Sequence, residues 1–289
     1  MAALLVALTF LLVGCGYGDG GTIEAIPSNS AAPADATLAV APTYRLVPPA
    51  DPAALAIENT NYDGWALLDR RTGTIAGSPN SATEGNTVES MIKPWIVADY
   101  LRRLADDDLA PSPEMLDELT LVIVDSNDPL AESYYMQGGS DEVVRRLIDV
   151  CGLTGIRIDP GLWWSTWMTP EDAVRYGECL ADGRAAGPQW TQWLLRTMTE
   201  VRGSVDQQIS GEVQGGRWGI IDGLPRELAG EVAMKNGFTE YLDGWHVNCL
   251  AIHPDWVLVV MMRSWENLAG AAAGCARIAN GLVVQTTRN

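Results

Sequence analysis

The chain reads as a two-lobed α+β protein: an antiparallel sheet flanked by helices, assembled from both ends of the folded segment, with an all-helical lobe inserted between them. Three observations predict this. β-rich runs occur at residues 64–76 and again at 231–262. The residues between carry apolar side chains at helical spacing, punctuated by capping residues. A tract rich in Gly, Ser and Pro precedes all of it, and such a composition buries too little surface to fold.

From the N-terminus, residues Met1 to Gly14 carry no charged side chain, and the apolar run is too short to span a bilayer. It closes on Leu12-Val13-Gly14-Cys15, a sequence with the form of a bacterial lipobox. Residues 1–15 are therefore expected to be a signal peptide, with Cys15 lipidated and the protein exported and anchored to the cell membrane; a positive n-region is missing. Residues 16–56 are expected to form a flexible tether. The folded domain is placed at 57–289, with a helical lobe at about 87–220 and a sheet lobe made of 57–86 and 221–289.

Within that domain 64–69 reads as a strand, Arg70-Arg71-Thr72-Gly73 as a turn, and 74–76 as the returning strand. A polar loop, 78–86, leads to a helix over 91–104. Ile92, Trp95, Ile96, Tyr100 and Leu104 form its buried face, Pro94 sits in its first turn, and Asp99, Arg102 and Arg103 face outward. Ser112-Pro113-Glu114 opens a helix to about 124, and 129–136 forms another. Ser140 is placed to cap 141–150, and Thr169-Pro170-Glu171-Asp172 has capping-box spacing for a helix to about 181. A helix over 190–201 completes the block. Strands follow at 231–234, 245–252 and 256–262, with a turn at His253-Pro254-Asp255, and a small-residue helix over 267–282 closes the domain.

Composition narrows the function. A net charge of −18 argues against nucleic acid and anionic lipid, both of which need a cationic face. Four cysteines besides Cys15, in an exported chain, predict two disulfides. Three pairings are open; Cys151–Cys179 with Cys249–Cys275 keeps each pair within one lobe. No cysteine or histidine spacing suits zinc, and neither metal nor cofactor is expected.

Lysine is the most pointed signal. The chain has only Lys93 and Lys235, against seventeen arginines. A buried lysine can lose its proton and act as a base, whereas arginine cannot. Lys93 ends Ser90-Met91-Ile92-Lys93, where the serine and lysine share a helix face, so a neutral amine can take the serine proton. Lys235 opens Lys235-Asn236-Gly237 at a strand end, where a cation and an amide can hold a carboxylate and glycine admits substrate. Between them, Val124-Asp125-Ser126-Asn127-Asp128 joins two helices of the central block and can reach a cleft from the helical side.

In this order the three segments resemble the signature of the serine β-lactamase and penicillin-binding protein superfamily: SxxK, then S-D-N or S-x-N, then K-T-G or K-S-G. The resemblance covers about residues 64–284 and implies a β-lactamase-like fold. It implies Ser90 as the acylated nucleophile, Lys93 as its base, and the backbone N–H groups of Ser90 and Phe238 as the oxyanion hole. Ser126 would relay a proton to the leaving nitrogen, Lys235 and Asn236 would hold a substrate carboxylate beside Gly237, and Asn127 or Asp128 would contact the acyl side chain. The second motif fits two registers: Ser126 as relay with Asp128 in the Asn position, or Asp125 in the serine position with Asn127 in its usual place. The first keeps a hydroxyl where the relay needs one. Asn236 replaces the usual Thr or Ser, and no Glu with an E-x-x-N pattern occurs at 157–169, so hydrolysis of an acyl-enzyme is expected to be slow.

The implied substrate is a small molecule: a D-Ala-D-Ala-type wall peptide or a β-lactam. The competing reading is a catalytically silent lipoprotein of the same fold that binds peptidoglycan or a protein partner. His246 and His253 are read as structural, and Trp163, Trp164 and Trp167 as lobe packing rather than a sugar platform.

Overall fold

The computed structural model describes residues 43–286. The expected signal peptide, its lipidation residue Cys15 and the tether as far as residue 42 lie outside the described residues. The chain runs through β1 (Thr43–Leu46), β2 (Thr60–Asp69), β3 (Thr74–Gly77) and a short β4 (Asn86–Thr87) into the helical block. That block holds α1 (Lys93–Asp106), α2 (Pro113–Val124), α3 (Asp128–Gln137) and α4 (Asp141–Cys151). It continues through β5 (Trp167–Met168), α5 (Pro170–Ala181), α6 (Thr191–Thr199), α7 (Val205–Ser210) and α8 (Arg226–Ala229). The chain then returns through β6 (Ala233–Tyr241), β7 (Gly244–Ile252), β8 (Trp256–Ser264), α9 (Leu268–Leu282) and β9 (Val283–Thr286).

The main sheet is antiparallel, with strand order β3-β2-β8-β7-β6, so its strands do come from both sides of the helical insertion. Successive side chains of a strand point to opposite faces. Along β7, Leu250 packs toward Gly177 of α5, while its neighbour Cys249 bonds Cys275 of α9. The sheet is thus covered on one face by the helical block and on the other by α9. Gly177 is needed for that approach: a Cβ there would lie 2.6 Å from Val257 Cγ1 and 3.0 Å from Leu250 Cδ1. The second disulfide, Cys151–Cys179, joins α4 to α5, so each bridge stays within one lobe, as expected.

Several helix starts obey the local chemistry. Ser112 accepts from Met115 N and Thr169 from Asp172 N, each satisfying an orphan donor of the first turn. Ser140 does not cap α4; its φ of 57° turns it away and its hydroxyl meets Met136 Sδ. Asp141 carries that corner instead, accepting from Tyr135 OH and Gly161 N.

Three further expectations are corrected. Order begins before residue 57, because β1 pairs antiparallel with β9 and Tyr44 and Leu46 pack on the core. The strand expected at 231–234 continues to Tyr241, which puts Lys235-Asn236-Gly237 inside β6 rather than at its end. Asp99 is not on an outer face: it is 1% exposed and accepts from Arg102 Nη2 at 2.9 Å, Arg103 Nε at 3.1 Å and Arg146 Nε at 2.7 Å. Arg146, from α4, draws the carboxylate inward, so the acid joins α1 to α4.

Replacing Asp99 with alanine removes the shared acceptor of three partly buried guanidinium groups. The expected loss is about 3 kcal/mol, at the low end for a broken buried ion pair because the arginines keep some solvent. Urea unfolding of the Asp99→Ala protein measures it.

Candidate active site

Ser90 is the second residue of a 3-10 turn, Glu89–Ile92, that runs directly into α1 at Lys93. Residues three apart eclipse in such a turn, so Ser90 and Lys93 lie on one side. The turn is anchored from three directions. Tyr176 OH of α5 donates to Met91 O at 3.1 Å, Val88 N donates to Thr166 O at 2.8 Å, and Gly237 of β6 lies directly against it. A Cβ on Gly237 would sit 2.4 Å from Val88 O and 2.8 Å from Ser90 N. Glycine at this point is what lets the edge strand reach the segment that carries the serine.

Glu89, immediately before Ser90, adopts φ of +51°, a left-handed conformation that costs a non-glycine residue about 1 kcal/mol. Its carboxylate holds the residue there, accepting from Thr87 Oγ1 at 2.7 Å, Thr239 Oγ1 at 2.8 Å and Tyr241 OH at 3.1 Å. Burial pushes this carboxyl above the usual range; the three hydroxyl donors oppose that rise and nearby Asp128 adds to it.

The two lysines meet at Ser126. Lys93 Nζ lies 2.9 Å from Ser126 Oγ, and Lys235 Nζ lies 2.9 Å from the same oxygen on its other side. Lys93 also donates to Ser126 O and to Asp128 Oδ1, the latter at 2.5 Å. Lys235 also donates to Gly215 O and Asn236 O, both at 3.3 Å. Both amines are fully buried. Ser126, like Glu89, is held at positive φ, here 55°, in the turn between α2 and α3.

Burial holds Lys93 below the ordinary lysine range, and the Asp128 carboxylate partly restores it. Lys235 is held well below, by burial first and by the Lys93 charge second, with Asp128 opposing. An ammonium has three protons to donate, and Ser126 O, Ser126 Oγ and Asp128 take all three from Lys93. Among the described residues no hydrogen bond joins Lys93 Nζ to Ser90 Oγ.

Of the residues singled out in the sequence, Ser90, Lys93, Ser126, Asp128, Lys235, Gly237 and Phe238 come together. The second motif takes the register with Ser126 between the lysines and Asp128 on Lys93; Asp125 points elsewhere, bound to Arg202. Asn127 does not face the cleft, because its side chain caps α3 by accepting from Leu130 N. Asn236 is on the wrong face of β6. It pairs with Cys249, on the α9 side, while Lys235 pairs with Leu250, on the helical side. Both its amide protons are spent on Gly216 O and Trp218 O, so it staples that loop to the sheet.

Ser90 is half-buried and opens into a cavity of about 540 Å³ between the lobes. Phe238 and Thr239 line it from the sheet, and Asp128, Pro129 and Glu132 from α3. Trp163 and Trp164 form a further wall, so these two are not only packing residues. Trp167 is elsewhere, stacked under Arg157 at 3.6 Å. His246 is structural, bridging Thr87 Oγ1 and Asp243, and His253 pairs with Glu231 and stacks on Trp256. Glu89 and Glu132 were missed by the sequence reading. The signals were present: one directly precedes the serine, and the other lies one helical turn beyond Asp128.

The fold has counterparts among known proteins. No family model matches the chain. Two relatives, each named "Putative lipoprotein LppW", from Mycobacterium tuberculosis and Mycobacterium bovis, are 29% identical over 211 residues, 72% of this chain. The aligned region spans 64% of their length, a little under two thirds. Among solved structures, the TLA-1 extended-spectrum β-lactamase superposes with a TM-score of 0.62 at 14% identity, covering 77% of this chain and 91% of that one. A β-lactamase from Chitinophaga pinensis gives 0.62 at 15% identity, covering 78% and 94%, and one from Desulfarculus baarsii gives 0.61 at 15%, covering 79% and 94%. The chain has the serine β-lactamase fold.

Gly237→Ala would force β6 away from the Ser90 turn. An overpacking cost of about 1–3 kcal/mol is expected, read as a lowered midpoint in thermal or urea unfolding.

Proposed function

We propose that this chain is an exported serine acyl-transfer enzyme of the bacterial cell envelope, anchored through lipidated Cys15. The carrying observation is the hydrogen-bonded row Lys93–Ser126–Lys235, buried beneath the cleft into which Ser90 opens. Its substrates would be D-Ala-D-Ala-type wall peptides or β-lactams. The β-lactamase fold of the solved neighbours and the lipoprotein name of the mycobacterial relatives support this reading.

The chemistry follows from the groups present. Neutral Lys93 removes the proton of Ser90 Oγ as that oxygen bonds to the carbonyl carbon of an amide or lactam. The developing oxyanion is met by the backbone N–H groups of Ser90 and Phe238. Ser126 passes a proton to the leaving nitrogen as the C–N bond breaks, and is itself reprotonated from the lysine row. That leaves an ester on Ser90, which water then cleaves. Lys235, enclosed by Ser126 and two carbonyl groups, tunes Ser126; Asn236 takes no part in substrate binding.

The Lys93–Asp128 ion pair favours a second reading. A carboxylate on the base stabilises its ammonium form, and an ammonium cannot accept the serine proton. In that reading the protein keeps the fold and the cleft to bind wall fragments or a protein partner without acylation.

Labelling with a fluorescent penicillin, followed by intact mass spectrometry, separates the two. One acyl adduct on the wild type and none on Ser90→Ala is the expected result; label that survives the alanine change, or never forms, removes the enzyme reading. Asp128→Asn then tests the base. Loss of the carboxylate lowers the Lys93 pKa further, so more of the amine is neutral at any pH near its titration. The acid limb of the acylation-rate profile is expected to move to lower pH, with a severalfold gain at neutral pH, and a limb that stays in place would count against Lys93.

A further inference from the structure

The side chains around the cavity do not suit an anion, and no arginine lines it. Of its three acids, Glu89 is buried under three hydroxyl donors and Asp128 is paired with Lys93, which leaves Glu132. The two buried lysines have no exposed surface, and their donors are taken by Ser126, Asp128 and backbone carbonyls. Glu132 has no ion-pair partner among the described residues. Its Oε2 accepts from Trp163 Nε1 at 2.8 Å, which fixes the carboxylate at the cavity wall, and its Oε1 accepts no hydrogen bond there. Indole and phenyl surfaces complete the lining: Trp163 and Trp164 meet edge to face with centroids 5.4 Å apart, and Phe238 closes the sheet side. An oriented carboxylate beside aromatic surface is the chemistry that binds an ammonium on an apolar stem. The whole chain, at −18, adds long-range attraction of the same sign.

We propose that the cavity recognises its ligand by a cationic group, a primary ammonium on the acyl portion of the molecule that reaches Ser90. Glu132 is the counter-ion, and Trp164 and Phe238 flank the apolar stem. The proposal deepens the acyl-transfer reading and rests on it for the reacting carbonyl; the binding of the cation itself does not depend on Ser90 chemistry.

The full chain carrying Ser90→Ala is titrated with 1,5-diaminopentane and, separately, with glutarate, a dianion of matching length. Tryptophan indole N–H resonances and calorimetry report binding. The diamine is expected to saturate, to shift the indole resonances of Trp163 and Trp164, to bind more weakly as salt rises, and to lose at least about tenfold in affinity in Glu132→Gln. Absence of saturable diamine binding, equal affinity in Glu132→Gln, or tighter binding of glutarate overturns the proposal. The salt dependence stands independently should the glutamine variant fold poorly. In the wild type, a penicillin with an α-amino group on its side chain is compared with the same penicillin lacking it. Faster acylation by the amine supports the proposal. Diamine binding without acylation by either penicillin would sink the enzyme reading and leave the cation site standing; equal acylation by both without diamine binding would do the reverse.

Discussion

The hydroxyl of Ser126 sits between two buried amines, and the rest of the cleft is arranged around that contact. Lys93 comes from the helical block and Lys235 from the edge of the sheet, so one oxygen ties the lobes together through charge-capable groups. Two ammonium ions with no exposed surface are costly to keep charged, and their mutual repulsion adds to the cost. The surrounding carbonyls, the Asp128 carboxylate and the strained turn at Ser126 are what make the arrangement tolerable. Ser126 and Glu89 both adopt left-handed backbone conformations, Ser126 in contact with the two lysines and Glu89 on the wall of the cavity.

Much of the architecture was legible because it follows from periodicity. The apolar spacing from Ile92 to Leu104 gave α1, the Thr169 cap gave α5, and strands at both ends gave the shared sheet. The β1–β9 ribbon was not legible. Four residues such as Thr43–Leu46 carry little local signal, and only the distant partner makes them a strand. Asp99 was misplaced for a related reason: its helix alone puts it outside, and Arg146 from another helix brings it in.

The candidate site was legible where residue chemistry was scarce and illegible where orientation decided. Two lysines in the whole chain pointed to both amines, and the spacing of Ser90 and Lys93 to a common face. Asn236 was misassigned because its facing follows the two-residue alternation of a strand longer than expected. Trp163 and Trp164 lie in a single 3-10 turn, Trp163–Ser165, too short for an apolar period to show in the sequence, so their presence at the cavity emerges only from the fold. Both registers of the second motif matched the sequence equally in form, and the turn geometry at Ser126 separates them.

The pairing of β1 with β9 has a consequence for topology. Thr43 and Thr286 are direct partners, so the described domain starts and finishes at one spot on its surface, about 5 Å apart. The domain is in effect a ring with a single seam. Force applied through its two ends would peel that ribbon before it reached the sheet or the nucleophile, and a short peptide joining the ends would allow the backbone to be reopened at an exposed loop elsewhere without disturbing the cleft.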